Sequence, residues 1–185
     1  MRFYRLIADP DSSHRWFLDS PKTLSGEQVD PRIFTYGFAV EPQPPLVVPV
    51  DQDGERIGFN FAAFDMVVTP AAINEKLGSL AGAAIQRFPV LTDSDEAFEI
   101  LNVCDLVECL DETRCHVTRW TPSDGRPEKI GEYRMVVGLK IDANRAAGHH
   151  IFRVAGWSIA LIVSEDVKKL FENAGLSGVV YQRVD

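Results

Sequence analysis

The sequence has no long apolar segment. Its longest uninterrupted run of apolar residues, leaving proline aside, is Ile159–Val163, whereas a membrane-spanning helix needs about 20 such residues. The first residues, Met1–Leu6, also lack the extended apolar stretch of a secretory signal. We therefore expect a cytoplasmic protein that has no membrane partner.

Basic residues are scarce relative to acidic ones. The chain has 19 Lys and Arg against 27 Asp and Glu, which gives a formal net charge of −8. Nucleic acids are bound by basic surfaces, so this balance argues against nucleic acid as a direct ligand, while a basic protein partner stays open. Apolar residues make up 45% of the chain and charged residues 25%, which is typical of a globular protein and argues against disorder.

Cysteine is rare, with one residue each at Cys104, Cys109 and Cys115. An odd number of cysteines without an export signal predicts reduced thiols. Together with His116 they form the pattern C-x4-C-x5-C-H, but structural zinc sites usually pair cysteines about two to four residues apart. Cys104 and Cys109 would also point to opposite faces of a strand. We predict that the protein binds no metal.

Known catalytic motifs are missing as well. The chain contains no G-x-S-x-G, no H-E-x-x-H and no glycine loop suited to phosphate. We predict neither enzymatic activity nor a cofactor. The alternative is a small enzyme whose site is assembled from scattered polar residues, with Asp124, Arg126, His149 and His150 as candidates. Adjacent histidines diverge in any regular element, so a solvent-exposed loop end is the preferred interpretation of His149-His150.

Short apolar segments separated by turn residues predict many strands and two helices. The predicted strands are Phe3–Ala8, Leu46–Val50, Ile85–Leu91, Phe98–Leu110, Met135–Asp142, Ile151–Val154, Trp157–Val163 and Val179–Val184. A first helix is predicted from Thr69 as cap and Pro70 as first residue to Gly82, and a second from Ser164 as cap to Gly175. The buried helix faces are predicted to be Ile73, Leu77, Leu80 and Ala81 in the first helix, and Val167, Leu170, Phe171 and Ala174 in the second. This irregular order of elements predicts an α+β fold with a mostly antiparallel sheet.

Two strand predictions are more specific. Met135, Val137, Leu139 and Ile141 alternate and should share one face. Ile159–Val163 is apolar on both faces, which favours a central strand that turns back from its predecessor at Ala155-Gly156.

Proline is concentrated near the start of the sequence. Seven of the eleven prolines are Pro10, Pro21, Pro31, Pro42, Pro44, Pro45 and Pro49. We predict a single domain over residues 1–185, in which an extended, proline-rich part over residues 1–58 wraps a denser α+β core over residues 59–185.

Acidic residues are concentrated in one stretch without any Lys or Arg. Its eight carboxylates are Asp93, Asp95, Glu96, Glu99, Asp105, Glu108, Asp111 and Glu112. A solvated edge strand with its end loops would explain the stretch, and so would a negative docking face for a basic partner. The candidate partner-binding residues of this stretch are Asp93, Asp95, Glu96, Glu99, Asp111 and Glu112.

A polar loop containing Pro and Gly extends from Trp120 to Lys129 between two apolar segments. A surface loop anchored by Trp120 would account for it, but long loops also carry recognition. Trp120, Asp124 and Arg126 are therefore further candidate partner-binding residues.

A set of short motifs resembles one bacterial protein family in the right order along nearly the whole chain. The motifs are Tyr4–Leu6, Phe61–Asp65, Gln86–Val90, Glu99–Val103, Trp120 through Asp124–Pro127 to Tyr133-Arg134, Ile151–Arg153, and Gly156-Trp157 with Ile162–Glu165. The family they resemble is immunity protein family eleven of bacterial polymorphic toxin systems.

This resemblance implies a cytoplasmic antidote that is encoded beside a toxin, binds it and neutralises it. It implies no catalytic residues. The acidic composition is compatible with a toxin whose binding surface is basic. The sequence does not indicate whether the protein self-associates. A ligand-binding or scaffold domain without a toxin partner is the remaining alternative to the small enzyme named above.

Overall fold

A computed structural model describes every residue from Met1 to Asp185 and shows an α+β fold, as predicted. Its strands are β1 Phe3–Ala8, β2 Phe17–Leu18, β3 Lys22–Thr23, β4 Leu46–Val47, β5 Val50–Gln52, β6 Asn60–Phe61, β7 Val67–Pro70, β8 Ile85–Leu91, β9 Phe98–Val103, β10 Leu106–Val107, β11 His116–Arg119, β12 Tyr133–Val137, β13 Ile151–Val154, β14 Trp157–Ser164 and β15 Val179–Arg183. The helices are α1 Ala71–Ala81 and α2 Glu165–Asn173, with short 3-10 turns at Pro31–Phe34, Ala63–Asp65, Gly82–Ala84, Pro122–Asp124 and Pro127–Lys129. Neither α-helix has the length and apolar character that crossing a membrane requires.

Two larger sheets organise the strands. The six-stranded sheet has the order β3-β4-β8-β9-β7-β6, and the five-stranded sheet has the order β10-β13-β14-β1-β15. Within them only β4–β8 and β10–β13 are parallel pairs, so the sheets are mostly antiparallel, as predicted. Two small two-stranded sheets, β2–β5 and β11–β12, complete the fold.

The five-stranded sheet joins the two ends of the chain. β1 lies between β14 and β15 and is antiparallel to both, with Arg5 opposite Ile162 on one side and Gln182 on the other. β14 in turn lies between β13 and β1, which confirms the prediction of a central strand there. The predicted reversal between β13 and β14 at Ala155-Gly156 is also confirmed.

One of three apolar clusters of similar size lies between the two sheets. Leu101 and Val103 of β9 belong to the same buried cluster as Leu161 and Val163 of β14. Alternate residues of β9, such as Ile100, enter a second cluster on the outer side of the six-stranded sheet. Both faces of β9 are therefore covered, which explains why all six of its residues are buried.

The proline-rich part supplies that outer cluster. Trp16, Phe34, Leu46 and Val48 are at most 1% exposed and pack there with Ile100. The segment is extended and contains only short strands, because Pro44, Pro45 and Pro49 interrupt backbone pairing. The predicted strand over residues 46–50 is accordingly divided into β4 and the start of β5.

The two helices differ in how they begin. In α2, Ser164 Oγ accepts a hydrogen bond from the Val167 N–H, which confirms the predicted cap, and Gly175 follows the helix at φ +68°. In α1 the cap residue is Pro70, whereas Thr69 belongs to β7 and its hydroxyl donates to the Asn74 side chain. The predicted Thr69 cap is wrong because the preceding strand continues to the helix.

Helix faces follow the predicted periodicity only in part. Ile73 and Leu77 of α1 are buried, but Leu80 is exposed. In α2, Val167 and Phe171 are buried, and Leu170 and Ala174 pack against the same cluster while remaining partly exposed.

Two strand predictions require correction. The segment 98–110 is divided between sheets, because the chain leaves β9 at Cys104 and enters β10 of the other sheet at Leu106.

Residues 135–142 do not share the predicted face either. Met135 and Val137 are 46% and 54% exposed, whereas Leu139 and Ile141 are buried. Gly138 adopts φ +66°, and this left-handed conformation reorients the chain between the two pairs.

Candidate partner-binding cleft

The first group of predicted acidic residues lies in the loop between β8 and β9. Asp93, Asp95 and Glu96 line an open, wholly polar depression of about 540 Å³ together with Arg56. Arg56 Nη2 is 3.1 Å from Asp93 Oδ2, whereas Asp95 and Glu96 have no ion pair.

Glu99 is placed quite differently, inside the six-stranded sheet. Its side chain is 8% exposed and accepts two hydrogen bonds from Arg87, at 2.8 and 3.0 Å. The Asn74 amide donates a third at 3.0 Å, and Asn74 Oδ1 accepts from the Thr69 hydroxyl. Glu99 is therefore held within the fold and does not contribute to an exposed acidic face.

Asp111 and Glu112 form a further site beside the β11–β12 hairpin. Hydrogen bonds from Thr113 and Arg114 lower the pKa of Asp111 to about 2. Glu112 accepts hydrogen bonds from the Tyr133 hydroxyl and from Arg119, and both lower its pKa. The acidic stretch is thus distributed over separate places, and most of its carboxylates have basic neighbours from elsewhere in the chain.

The loop after Trp120 is shaped by local hydrogen bonds. The Thr121 backbone N–H and hydroxyl both donate to Asp124, which lowers the pKa of that carboxyl, and Arg134 adds an ion pair at 2.5 Å. Arg126 pairs with Glu128 at 2.9 Å. Asp124 and Arg126 therefore organise the loop itself.

Trp120, the third predicted residue of this loop, lines a cleft of about 530 Å³ between four parts of the chain. The lining residues are Tyr36, Phe38, Leu106, Trp120, Glu128, Lys129, Glu132, Tyr133, Arg134, Gly156, Trp157, Ser158 and Ile159. The lining combines five aromatic side chains with two basic and two acidic ones. We identify this cleft as the candidate functional site.

The cleft is open and its apolar side chains are accessible. Phe38 is 61% exposed, Tyr36 49% and Ile159 47%. Gly37 lets the two aromatic residues approach Leu106 closely, because a Cβ at this position would lie 2.8 Å from Leu106 Cδ1.

Basic side chains stack on the aromatic rings of the cleft. The Arg134 guanidinium lies 5.1 Å and the Lys129 ammonium 5.6 Å from the ring centre of Trp120. Arg119 lies 4.3 Å from the ring centre of Tyr133, and Arg5 lies 5.1 Å from that of Trp157. Such cation–π contacts restrain both partners, so the cleft has a partly preorganised lining.

A buried guanidinium lies directly behind the cleft. Arg153 is 0% exposed and donates from Nη1 to the backbone carbonyl of Ser158, at 2.7 Å. In the parallel pair β10–β13, Arg153 lies opposite Leu106, which also lines the cleft. Its Nε and Nη2 have no hydrogen-bond partner. Burial lowers the pKa of Arg153 to about 10.

The candidate residues of an enzyme site do not form a connected group. Asp124 and Arg126 bond within their loop, while His149 pairs with Asp105 at 2.6 Å and His150 lies 3.0 Å from Ser164 Oγ. His149 and His150 lie at a loop end, as expected, but both are half-buried and hydrogen-bonded, so the expected solvent exposure is wrong.

The cysteines are free thiols in different surroundings. Cys109 is buried, which raises its pKa to about 12, and Cys104 is half-buried and also has a raised pKa because of burial. No cluster of three or more His, Cys, Asp or Glu side chains has the arrangement of a metal site.

Most of the cleft was not predicted from sequence. Trp120 was predicted as a partner-binding residue. Tyr36, Phe38 and Trp157 were not, because they come from segments far apart in the chain. The one local signal is Tyr36-Gly37-Phe38, in which glycine separates two aromatic residues within an otherwise proline-rich segment.

Comparison with known proteins identifies the family. The model of the immunity protein family Imm11 matches residues 92–185, and no curated protein matches the chain. The matched half contains β9 to β15, α2 and most of the cleft lining, while Tyr36 and Phe38 lie outside it. Because this match covers half of the chain, the protein belongs to the Imm11 immunity protein family.

Proposed function

We propose that this protein is a bacterial immunity protein that binds a cognate toxin and neutralises it by forming a stoichiometric complex. Membership of the Imm11 family supports this role. An inhibitor of this kind acts in proportion to the complex formed and needs no catalytic group of its own.

We further propose that the aromatic cleft is the contact site for the toxin. Trp, Tyr and Arg dominate the residues that contribute most to binding at protein interfaces. The cleft brings together Trp120, Trp157, Tyr36, Tyr133 and Arg134. The concentration of Trp, Tyr and Arg side chains in one open cleft is the main observation that supports it as the toxin contact site.

The experiment is co-expression with the toxin encoded next to this gene. We expect growth to be rescued only when the immunity protein is produced in at least equal amount, and the two proteins to elute together. Rescue by trace amounts without a detectable complex would point to enzymatic detoxification and contradict the proposal.

Two variants locate the contact. Phe38→Ala lies in the cleft and Leu24→Ala outside it, although the two side chains are similarly exposed, at 61% and 62%. We expect Phe38→Ala to weaken the complex by about 1–2 kcal/mol, within the range for interface aromatics, and Leu24→Ala to have no effect. Equal affinities of the two variants would exclude this cleft wall as the contact.

A further inference from the structure

Unpaired positive charge is concentrated at the cleft of this acidic protein. Of the 19 Lys and Arg residues, seven have no Asp or Glu side-chain carboxylate within 4.0 Å, namely Arg5, Arg15, Lys22, Lys76, Lys129, Lys140 and Arg153. Three of these, Lys129, Arg5 and Arg153, lie in the cleft or against its wall.

The three charges lie on two sides of the cleft. Lys129 lines it directly and lies over Trp120. Arg5 lies over Trp157, and Arg153 is bonded to the Ser158 carbonyl, so that both are behind the same wall. Arg5 Nε, like Nε and Nη2 of Arg153, is buried without a hydrogen-bond partner. Burial lowers the pKa of both arginines, as expected for cations that have lost water without gaining an ion pair.

Negative charges around the cleft offset these three positive charges only in part. Glu128 is neutralised by Arg126, just as Arg134 is neutralised by Asp124. Glu132 is the one carboxylate of the lining without an ion pair, and it forms none with Lys129. Asp65 attracts both Arg5 and Arg153, but it is exposed and forms an ion pair with neither. Exposed charges are screened by water more strongly than buried ones, so Asp65 offsets the positive charges of Arg5 and Arg153 only in part.

We propose that the cleft binds an acidic side chain of the partner protein, carried on a segment whose flanking residues are apolar or aromatic. This inference rests on the proposed function, because the partner is the toxin. The aromatic walls suit the apolar flanks, and Lys129 with the charge of Arg5 and Arg153 suits the carboxylate. The acidic residue thus anchors the partner in the cleft. The rest of the partner's surface can still be basic.

The test uses three blocked pentapeptides, acetyl-Gly-Phe-X-Phe-Gly-amide, in which X is Glu, Gln or Lys. Binding to the full-length protein is followed by the NMR signals of the tryptophan indole N–H groups. We expect the Glu peptide to bind about five- to tenfold more tightly than the Gln peptide, a ratio typical of one partly screened ion pair, and the Lys peptide to bind most weakly. The signals of Trp120 and Trp157 should shift, while that of the buried Trp16 should not.

Matched variants assign the preference to the cleft. Lys129→Gln should reduce the Glu-to-Gln ratio at least about twofold. Lys76→Gln removes an equally unpaired lysine from the exposed side of α1 and should leave the ratio unchanged.

Several outcomes would overturn the inference. These are the absence of binding by all three peptides at millimolar concentration, equal affinity for Glu and Gln, or full displacement by sodium acetate, which would indicate a small-anion site. Failure of this inference is distinguishable from failure of the proposed function, because rescue and co-elution with the toxin do not depend on the peptides. A toxin complex that forms normally with Lys129→Glu would also reject the acidic anchor while leaving the immunity function intact.

Discussion

Among individual residues, Glu99 is a carboxylate held entirely by its neighbours. Arg87 and Asn74 occupy its two oxygens, and Thr69 extends the chain of hydrogen bonds into the core. A buried carboxylate requires such partners, because burial without them costs several kcal/mol. The role of Glu99 is therefore to stabilise the junction between α1 and the six-stranded sheet.

Replacing Glu99 by Gln should destabilise the protein. The substitution keeps the size of the side chain but leaves Arg87 without its ion pair. Arg87 is 35% exposed and can be hydrated in part, so we expect a loss of about 1–2 kcal/mol, less than for a fully buried pair. Urea unfolding measures the change.

Glu96→Gln is the matched control for this prediction. Glu96 lies in the exposed loop three residues earlier and has no ion pair. Its replacement should leave the unfolding midpoint unchanged. Identical midpoints for the two variants would show that the Glu99 charge contributes nothing to stability.

The candidate site could be predicted from sequence only where a single residue has a conspicuous local context. Trp120 at the start of a polar loop is such a case. Glu99 is a candidate for an acidic docking face on the sequence alone, because its partners Arg87 and Asn74 are 12 and 25 residues away in the chain. Such pairings depend on strand register and helix packing, which a single sequence does not reveal.

Among the elements, those with local signals were predicted closely. The strand β8 has the predicted bounds, and the Ser164 cap and the turn at Ala155-Gly156 are where the residue types indicate. The division of residues 98–110 between two sheets was missed, because Asp105 is the only turn-favouring residue at this point and has no Gly or Pro beside it. Membership of one sheet or another is decided by tertiary contacts.

The turn that precedes β15 offers a prediction about close backbone packing. Gly178 has φ +88°, and a Cβ there would lie 2.6 Å from the Phe59 carbonyl oxygen. Gly178→Ala should therefore combine backbone strain of about 1–2 kcal/mol with a clash costing about 1–3 kcal/mol more. Thermal unfolding should show the loss, at about 2–4 °C for each kcal/mol in a protein of this size.

Gly175→Ala separates the two contributions. Gly175 has a similar φ, +68°, but a Cβ there would have no atom within 4 Å. This variant should show the strain alone. A Gly178→Ala protein that is as stable as Gly175→Ala would mean that the Phe59 backbone moves aside at no cost.

For the whole molecule, the distribution of charge matters more than any one acidic segment. The carboxylates between residues 93 and 112 occupy separate places, and of the eight only Asp95, Glu96 and Glu108 lack a basic side chain within 4.0 Å. The net charge of −8 nevertheless produces a field that acts on an approaching partner as a whole.

This field predicts how replacements affect association with a basic toxin. The double variant Asp95→Lys/Glu96→Lys and the control Glu41→Lys/Asp51→Lys change exposed carboxylates and raise the net charge by the same amount. We expect both to slow association at low salt by a similar factor of about two to ten, and the difference from the unchanged protein to shrink at high salt. Stopped-flow mixing measures the rates.

A markedly larger effect of the Asp95/Glu96 pair would place a local docking face in that loop, which is one of the two interpretations that the sequence leaves open. Unchanged rates in both variants would show that electrostatic steering does not contribute. Cooperative unfolding of each variant must be verified before the rates are compared.

The position of β1 between β14 and β15 has a consequence for biosynthesis. β1 is synthesised long before β14 and β15, the two strands that flank it in the sheet. Until then its apolar residues Phe3 and Leu6 have no sheet to enter, and the segment matched by the family model has a gap in its own sheet. Long-range pairing of this kind is slow to form. Under the proposed function, a nascent chain that lacks β14 and β15 would offer no protection, and immunity would begin only after these strands have closed the sheet around β1.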